Sequence, residues 1–99
     1  MNLEAKNEMK NPKGFSEKKL QELGEAAEWH TWDNRAEIDA STICLCTACY
    51  FRFPPSAIKT WQDGTSAVCP NPECLFGGSV LGSASGLNFD DYDYSATDA

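Results

Sequence analysis

Ile43-Cys44-Leu45-Cys46-Thr47-Ala48-Cys49-Tyr50, answered further on by Cys69-Pro70-Asn71-Pro72-Glu73-Cys74, is the sequence that decides how this chain folds. Cys46 and Cys49 form a C-x2-C pair, and Cys69 and Cys74 a C-x4-C pair. Two thiolates a few residues apart can curl around one ion from a single tight turn. A second such turn supplies the other two corners of a tetrahedron. The long spacer between the pairs lets the chain return antiparallel, which is the arrangement read as a zinc site. Cys46, Cys49, Cys69 and Cys74 are therefore the expected ligands of a structural Zn2+.

The chain has five cysteines. An odd number is a poor disulfide framework, and a reducing compartment disfavours disulfides altogether. Cys44 stands C-x-C to Cys46, a tight fit for two ligands on one ion, so it either replaces Cys46 or is a spectator. If residues 43–46 form a strand, Cys44 and Cys46 share a face. His30 is the other alternative ligand. Four thiolates around Zn2+ leave a site of charge −2 with no open position, hence no activated water and no metal catalysis.

Working outward, 99 residues allow one small domain, and such a chain needs help beyond its apolar core. The expected fold is a small metal-stabilised α+β domain. It is a zinc-ribbon-like double knuckle with a short helix between the knuckles and an N-terminal helix. Ser16 is a candidate N-cap with Glu17 in the first turn, and Leu20, Leu23 and Ala27 recur at helical spacing, which predicts a helix near 16–29. Phe15 and Leu20 are placed for a hydrophobic staple. Residues 29–43 give no clear period. Pro54-Pro55-Ser56 opens one or two helical turns, Asp63-Gly64 marks a turn, and 65–69 and 79–81 read as short strands. Phe51, Phe53, Ile58, Trp61, Val68, Phe76, Val80 and Leu81 are the expected core. The domain reading is a flexible arm at 1–15, a helix and connector at 16–43, the metal module at 44–88 and an acidic disordered tail at 89–99.

Charge narrows the function. Fifteen acids against eight Lys and Arg give −7. The acids gather in residues 23–43 and in the tail, where Asp90, Asp91 and Asp93 stand without a basic residue and are, with Trp29 and Trp32, the candidate partner-binding residues. Only Arg52 and Lys59 are basic after residue 43, too few for phosphate contacts, so nucleic acid is an unfavoured partner. No P-loop, zinc-protease or serine-hydrolase motif occurs, so no enzyme is expected. No apolar run could span a membrane, and Met-Asn-Leu-Glu-Ala-Lys lacks a secretory h-region, so a cytoplasmic protein is expected. Trp29 and Trp32, set among acids, either pack the helix on the ribbon or form a partner surface. Packing is the favoured reading, because a lone short helix is marginal in water.

The residues Cys46-x2-Cys49, Phe53, Ile58-x-x-Trp61, Asp63-Gly64, Ala67-Val68-Cys69-Pro70 and Ser79-Val80-Leu81-Gly82 resemble a family of small bacterial and phage cytoplasmic zinc-ribbon proteins of no established reaction. The resemblance covers about residues 44–83. Where the family has C-P-x-C-G, this chain has Cys69-Pro-Asn-Pro-Glu-Cys74, two residues longer. The resemblance implies a bound metal and a compact ribbon. With the acidic surface, it points to a non-enzymatic protein-interaction module, such as an inhibitor or modulator of a host factor. The alternatives are a nucleic-acid-binding ribbon, a nucleic-acid mimic acting through its acids, or a rubredoxin-like iron or Cys46-Cys49 thiol redox site.

Overall fold

The computed structural model describes residues 13–95. The first helix, α1, runs Glu17–Thr31, two residues beyond the expected end. Ser16 caps it: its Oγ accepts a hydrogen bond from the Lys19 N–H at 3.1 Å. That satisfies one of the free donors at the helix start. No residue of α1 is fully buried. Leu20, Leu23, Ala27 and His30 are half-buried, at the 3–4 spacing that places them on one face. The helix is thus held by packing along one stripe, where α1 lies against strand β5 (Val80–Gly82).

A second helix, α2, occupies Arg35–Asp39 within the stretch that showed no period in sequence. One turn is too short to display periodicity. Its Ile38 is fully buried and joins the core.

The rest is two small antiparallel sheets. Strand β1 (Cys44–Cys46) is central, with β2 (Arg52–Phe53) on one side and β5 on the other. Cys44 pairs with Phe53 and Gly82, Leu45 with Arg52 and Leu81, and Cys46 with Val80. Side chains alternate along a strand, so Cys44, Cys46, Phe53 and Val80 share one face and Leu45 and Leu81 the other. The first set belongs to the core cluster with Ile38, Ile58, Ala67 and Cys69. The second sheet pairs β3 (Trp61–Gln62) with β4 (Ser66–Ala67), closed by a turn in which Asp63 and Gly64 both have positive φ.

Gly82 is fixed by crowding. A Cβ there would collide with the Ser41 side chain and stand 3.1 Å from Ile38 Cδ1. Asn34 is the buried clasp of the fold. Its Nδ2 donates to the carbonyls of His30 and Val80, both at 2.9 Å, and its Oδ1 accepts from the Ala67 N–H at 3.0 Å. One side chain thereby ties the end of α1 to β5 and β4.

The turn after Pro54 is a single 3-10 turn, Pro55–Ala57, the shorter of the expected one or two, and Ile58 behind it is extended. Three expectations need correction. Phe76 and Phe51 are not core: Phe76 is 80 % exposed and Phe51 is also exposed, while Val68 is half-buried. Leu45, Cys44 and Ile38 take the buried places instead. Trp29 and Trp32 do not pack the helix down, being 82 % and 60 % exposed. Within residues 89–95 the tail is docked rather than loose. A 3-10 turn at Phe89–Asp91 is followed by Tyr92, whose hydroxyl donates to the Leu23 carbonyl at 2.7 Å. Arg52 meets Asp93 at 3.0 Å and Asp90 at 3.4 Å, with its guanidinium 5.6 Å from the Phe89 ring centre. Residues 1–12 of the expected arm and the tail's last four residues lie outside the described residues.

Candidate metal centre

The first knuckle grows out of β1. Cys46 ends the strand, and the chain then turns back on itself through residues 47–50. The Tyr50 N–H donates to the Cys46 carbonyl at 2.8 Å, and the Cys46 N–H to the Phe51 carbonyl at 3.0 Å. Closing so tight a loop requires a left-handed residue, and Tyr50 supplies it at φ 66°. A non-glycine residue there costs roughly 1–2 kcal/mol. The Thr47 N–H continues the ladder to the Ser79 carbonyl at 2.8 Å, which pins the knuckle to the segment entering β5.

The second knuckle leaves β4 and is closed by the Cys69 N–H donating to the Gly77 carbonyl at 2.7 Å. Its two additional residues are absorbed by an Asx turn. Asn71 Oδ1 accepts from the Glu73 N–H at 3.0 Å, and the Cys74 N–H donates to the Asn71 carbonyl at 3.0 Å. Cys74 is therefore delivered to the site in spite of the longer loop.

These two turns bring Cys46, Cys49, Cys69 and Cys74 together, with all four sulfurs within 4.8 Å of one another. The Cys46–Cys74 and Cys49–Cys69 sulfurs are 3.7 Å apart. A tetrahedron with metal–sulfur bonds of about 2.3 Å has edges of about 3.8 Å. A disulfide would need about 2.0 Å, and all five cysteines are free. Cys46 and Cys69 are buried, while Cys49 and Cys74 are half-buried at the rim of the core.

Hydrogen-bond donors surround the sulfurs. The Cys46 sulfur is faced by the N–H groups of Ala48 and Cys49, Cys49 by that of Phe51, and Cys69 by that of Asn71. The Gly77 N–H reaches Cys74 Sγ at 3.4 Å, and the Asn71 side-chain amide reaches Cys49 Sγ across the knuckles at 3.5 Å. Donors aimed at sulfur stabilise thiolate. In the metal-free chain burial acts against them. It raises Cys46, and it raises Cys69 strongly, with the Cys46 charge adding to the rise. Burial also opposes ionisation of Cys49, but there the Asn71 amide, the Phe51 N–H and the neighbouring sulfurs prevail and bring the thiol down to about 7. A divalent cation at the centre would overturn that proton sharing and hold all four as thiolates. Closed geometry, sulfur spacing and donor set together fit a metal ion.

Neither alternative ligand is in the cluster. Cys44 lies two residues before Cys46 on the same strand face, buried in the core, where burial pushes its thiol from 9.0 up to about 11. It is a core thiol. His30 points its Nδ1 at the Glu37 carboxylate, 2.9 Å away, and so bridges α1 and α2. The acids expected at a partner surface divide: Asp90 and Asp93 hold Arg52, and Asp91 belongs to the docked 3-10 turn. Asn34 and Asn71 were missed in the sequence. Asn71 does stand between two prolines inside a cysteine pair, a position that favours an Asx turn.

The chain is thus a small α+β protein with antiparallel sheets and a four-cysteine cluster positioned to bind a metal ion. Comparison with protein-family models, with curated proteins and with solved structures gave no match. Among the described residues, no helix is long and apolar enough to cross a membrane.

Proposed function

We propose that this chain is a non-enzymatic zinc-ribbon protein that works by binding another protein. The four-sulfur cluster carries the reading. A site in which protein supplies all four corners leaves no place for substrate or water, so its ion serves folding. Thiolate donors in tetrahedral spacing suit Zn2+ among the ions of a reducing compartment. The metal-stabilised fold then frees its surface for recognition. Trp29 and Trp32, together with Leu75 and Phe76 at 99 % and 80 % exposure, supply large apolar groups of the kind that dominate interfaces. The sequence resemblance of residues 44–83 to small bacterial and phage zinc ribbons, which no comparison tests, and the charge of −7 lead us to propose a modulator of a host factor in the cytoplasm. Nucleic acid is the weaker alternative for want of basic residues.

Two measurements test this. Metal analysis of the purified chain should find one zinc per chain, and cobalt exchanged into it should show the visible spectrum of four-thiolate tetrahedral coordination. Affinity capture from the natural host should retain a protein that the Trp29→Ala/Trp32→Ala variant fails to retain. Iron in place of zinc would turn the reading toward electron transfer. Equal capture by wild type and variant would remove the tryptophan surface from it.

A further inference from the structure

The end of α1 carries an open groove of about 770 Å³, lined by Glu28, Trp29, Thr31, Trp32, Asp33 and Gly78. Two tryptophans and two carboxylate residues line it, and none of the four clustered cysteines does. Its chemical character is uniform over a long stretch. Between Lys19 and Arg35 the chain has Glu22, Glu25, Glu28 and Asp33 and no Lys or Arg. An aromatic face next to a carboxylate attracts a cation, because the ring quadrupole and the negative charge act on it together.

This molecule already uses that pairing on Arg52, and an aromatic face with a carbonyl on Arg35. Arg52 sits 5.6 Å from the Phe89 ring centre with Asp90 and Asp93 on its guanidinium. Arg35 stacks 4.6 Å over Trp61 while donating to the Gly64 carbonyl. Among the described residues, no cation lies over Trp29 or Trp32. The groove thus presents aromatic and acidic groups without the basic group that completes them elsewhere in the fold. Gly78 on its wall receives its turn from Phe76, whose carbonyl accepts the Gly78 N–H at 2.8 Å. That places the exposed Leu75-Phe76 pair in the loop bordering the groove.

We propose that the groove at Glu28, Trp29, Trp32 and Asp33 receives a basic segment of a protein partner, an arginine held between the indoles and the carboxylates with an apolar neighbour against Leu75 and Phe76. This rests on the protein-binding reading above and adds the chemistry of the partner. Arginine suits the site better than lysine, since its planar guanidinium stacks on a ring while its edge pairs with a carboxylate.

Calorimetric titration of the full metal-loaded chain tests it, with zinc content measured on the same sample. The probe is a short synthetic peptide alternating leucine, arginine and glycine, and the comparison peptide replaces each arginine by neutral, isosteric citrulline. The expected result is saturable binding of the arginine peptide that weakens as salt is raised. Binding should fall about tenfold or more with citrulline, with Trp29→Ala/Trp32→Ala and with Glu28→Gln/Asp33→Asn. The Asp39→Asn/Asp63→Asn variant removes as much charge elsewhere and should bind like wild type. Asn tolerates the left-handed backbone of Asp33 and Asp63. Equal loss in both charge variants would overturn the proposal in favour of the general negative field. Equal affinity for the citrulline peptide would also overturn it, while leaving the groove an apolar protein interface. A chain without zinc would instead contradict the metal reading, a separate result.

Discussion

At the scale of single residues, the fifth cysteine separates from the other four. Cys44 and Cys46 share a strand face and are equally buried, yet only Cys46 belongs to the four-sulfur cluster. Cys69→Ser should therefore lose the metal, whereas Cys44→Ala should keep a full equivalent and cost about 1 kcal/mol of packing, read by metal analysis and thermal melts. Cys44 also sets an alkaline sensitivity. Its folded value of about 11 lies above the ordinary 9.0. Its contribution is therefore intact below about pH 8.5, where the unfolded thiol is still protonated, and fades as pH rises toward 11. Melting temperature should drop across that window, and Cys44→Ala should flatten the drop; an unchanged slope would contradict this. Asn34→Ala should cost about 2–3 kcal/mol, because it leaves the buried Ala67 N–H and Val80 carbonyl without partners. The cysteines were legible because chelation needs fixed spacing. A clasp such as Asn34 has partners 33 and 46 positions away and leaves no local pattern.

At the scale of elements, α1 was readable because an N-cap and a 3–4 apolar stripe are local signals. Helix α2, at five residues, is shorter than a period can reveal. The docking of residues 89–95, the described part of the tail, was hidden for a different reason. Asp90, Asp91 and Asp93 resemble a solvating run, but their counter-charge, Arg52, lies some 40 residues back in β2. Exposed ion pairs contribute little each, at roughly 0–1 kcal/mol. The tail should thus be held weakly: Arg52→Ala with Tyr92→Phe should speed amide exchange at 89–95 and leave metal content unchanged. Gly82→Ala should do the reverse, disturbing β5 and its packing on α2. The added methyl must displace Ser41, whose Oγ accepts from the Ala84 N–H and donates to the Glu37 carbonyl. A loss of about 1–3 kcal/mol in chemical denaturation is expected there.

At the scale of the whole molecule, the buried apolar set is small: Ile38, Leu45, Phe53, Ile58, Val80 and Leu81 with alanine and cysteine. Of the four clustered cysteines, Cys46 and Cys69 lie in that core and Cys49 and Cys74 pack against it, so the candidate metal site and the hydrophobic core are one region. The two sheets and both knuckles meet at the sulfurs, and α1, without a buried residue, leans on what they build. Folding and metal binding should then be a single event. The measurement that bears on this most directly is circular dichroism of the zinc-loaded chain during titration with a strong chelator, with released metal assayed in parallel. One zinc per chain should leave in step with a cooperative loss of the folded spectrum, and restoring zinc should recover it. Complete removal of the metal with the spectrum unchanged would contradict the metal-dependent fold.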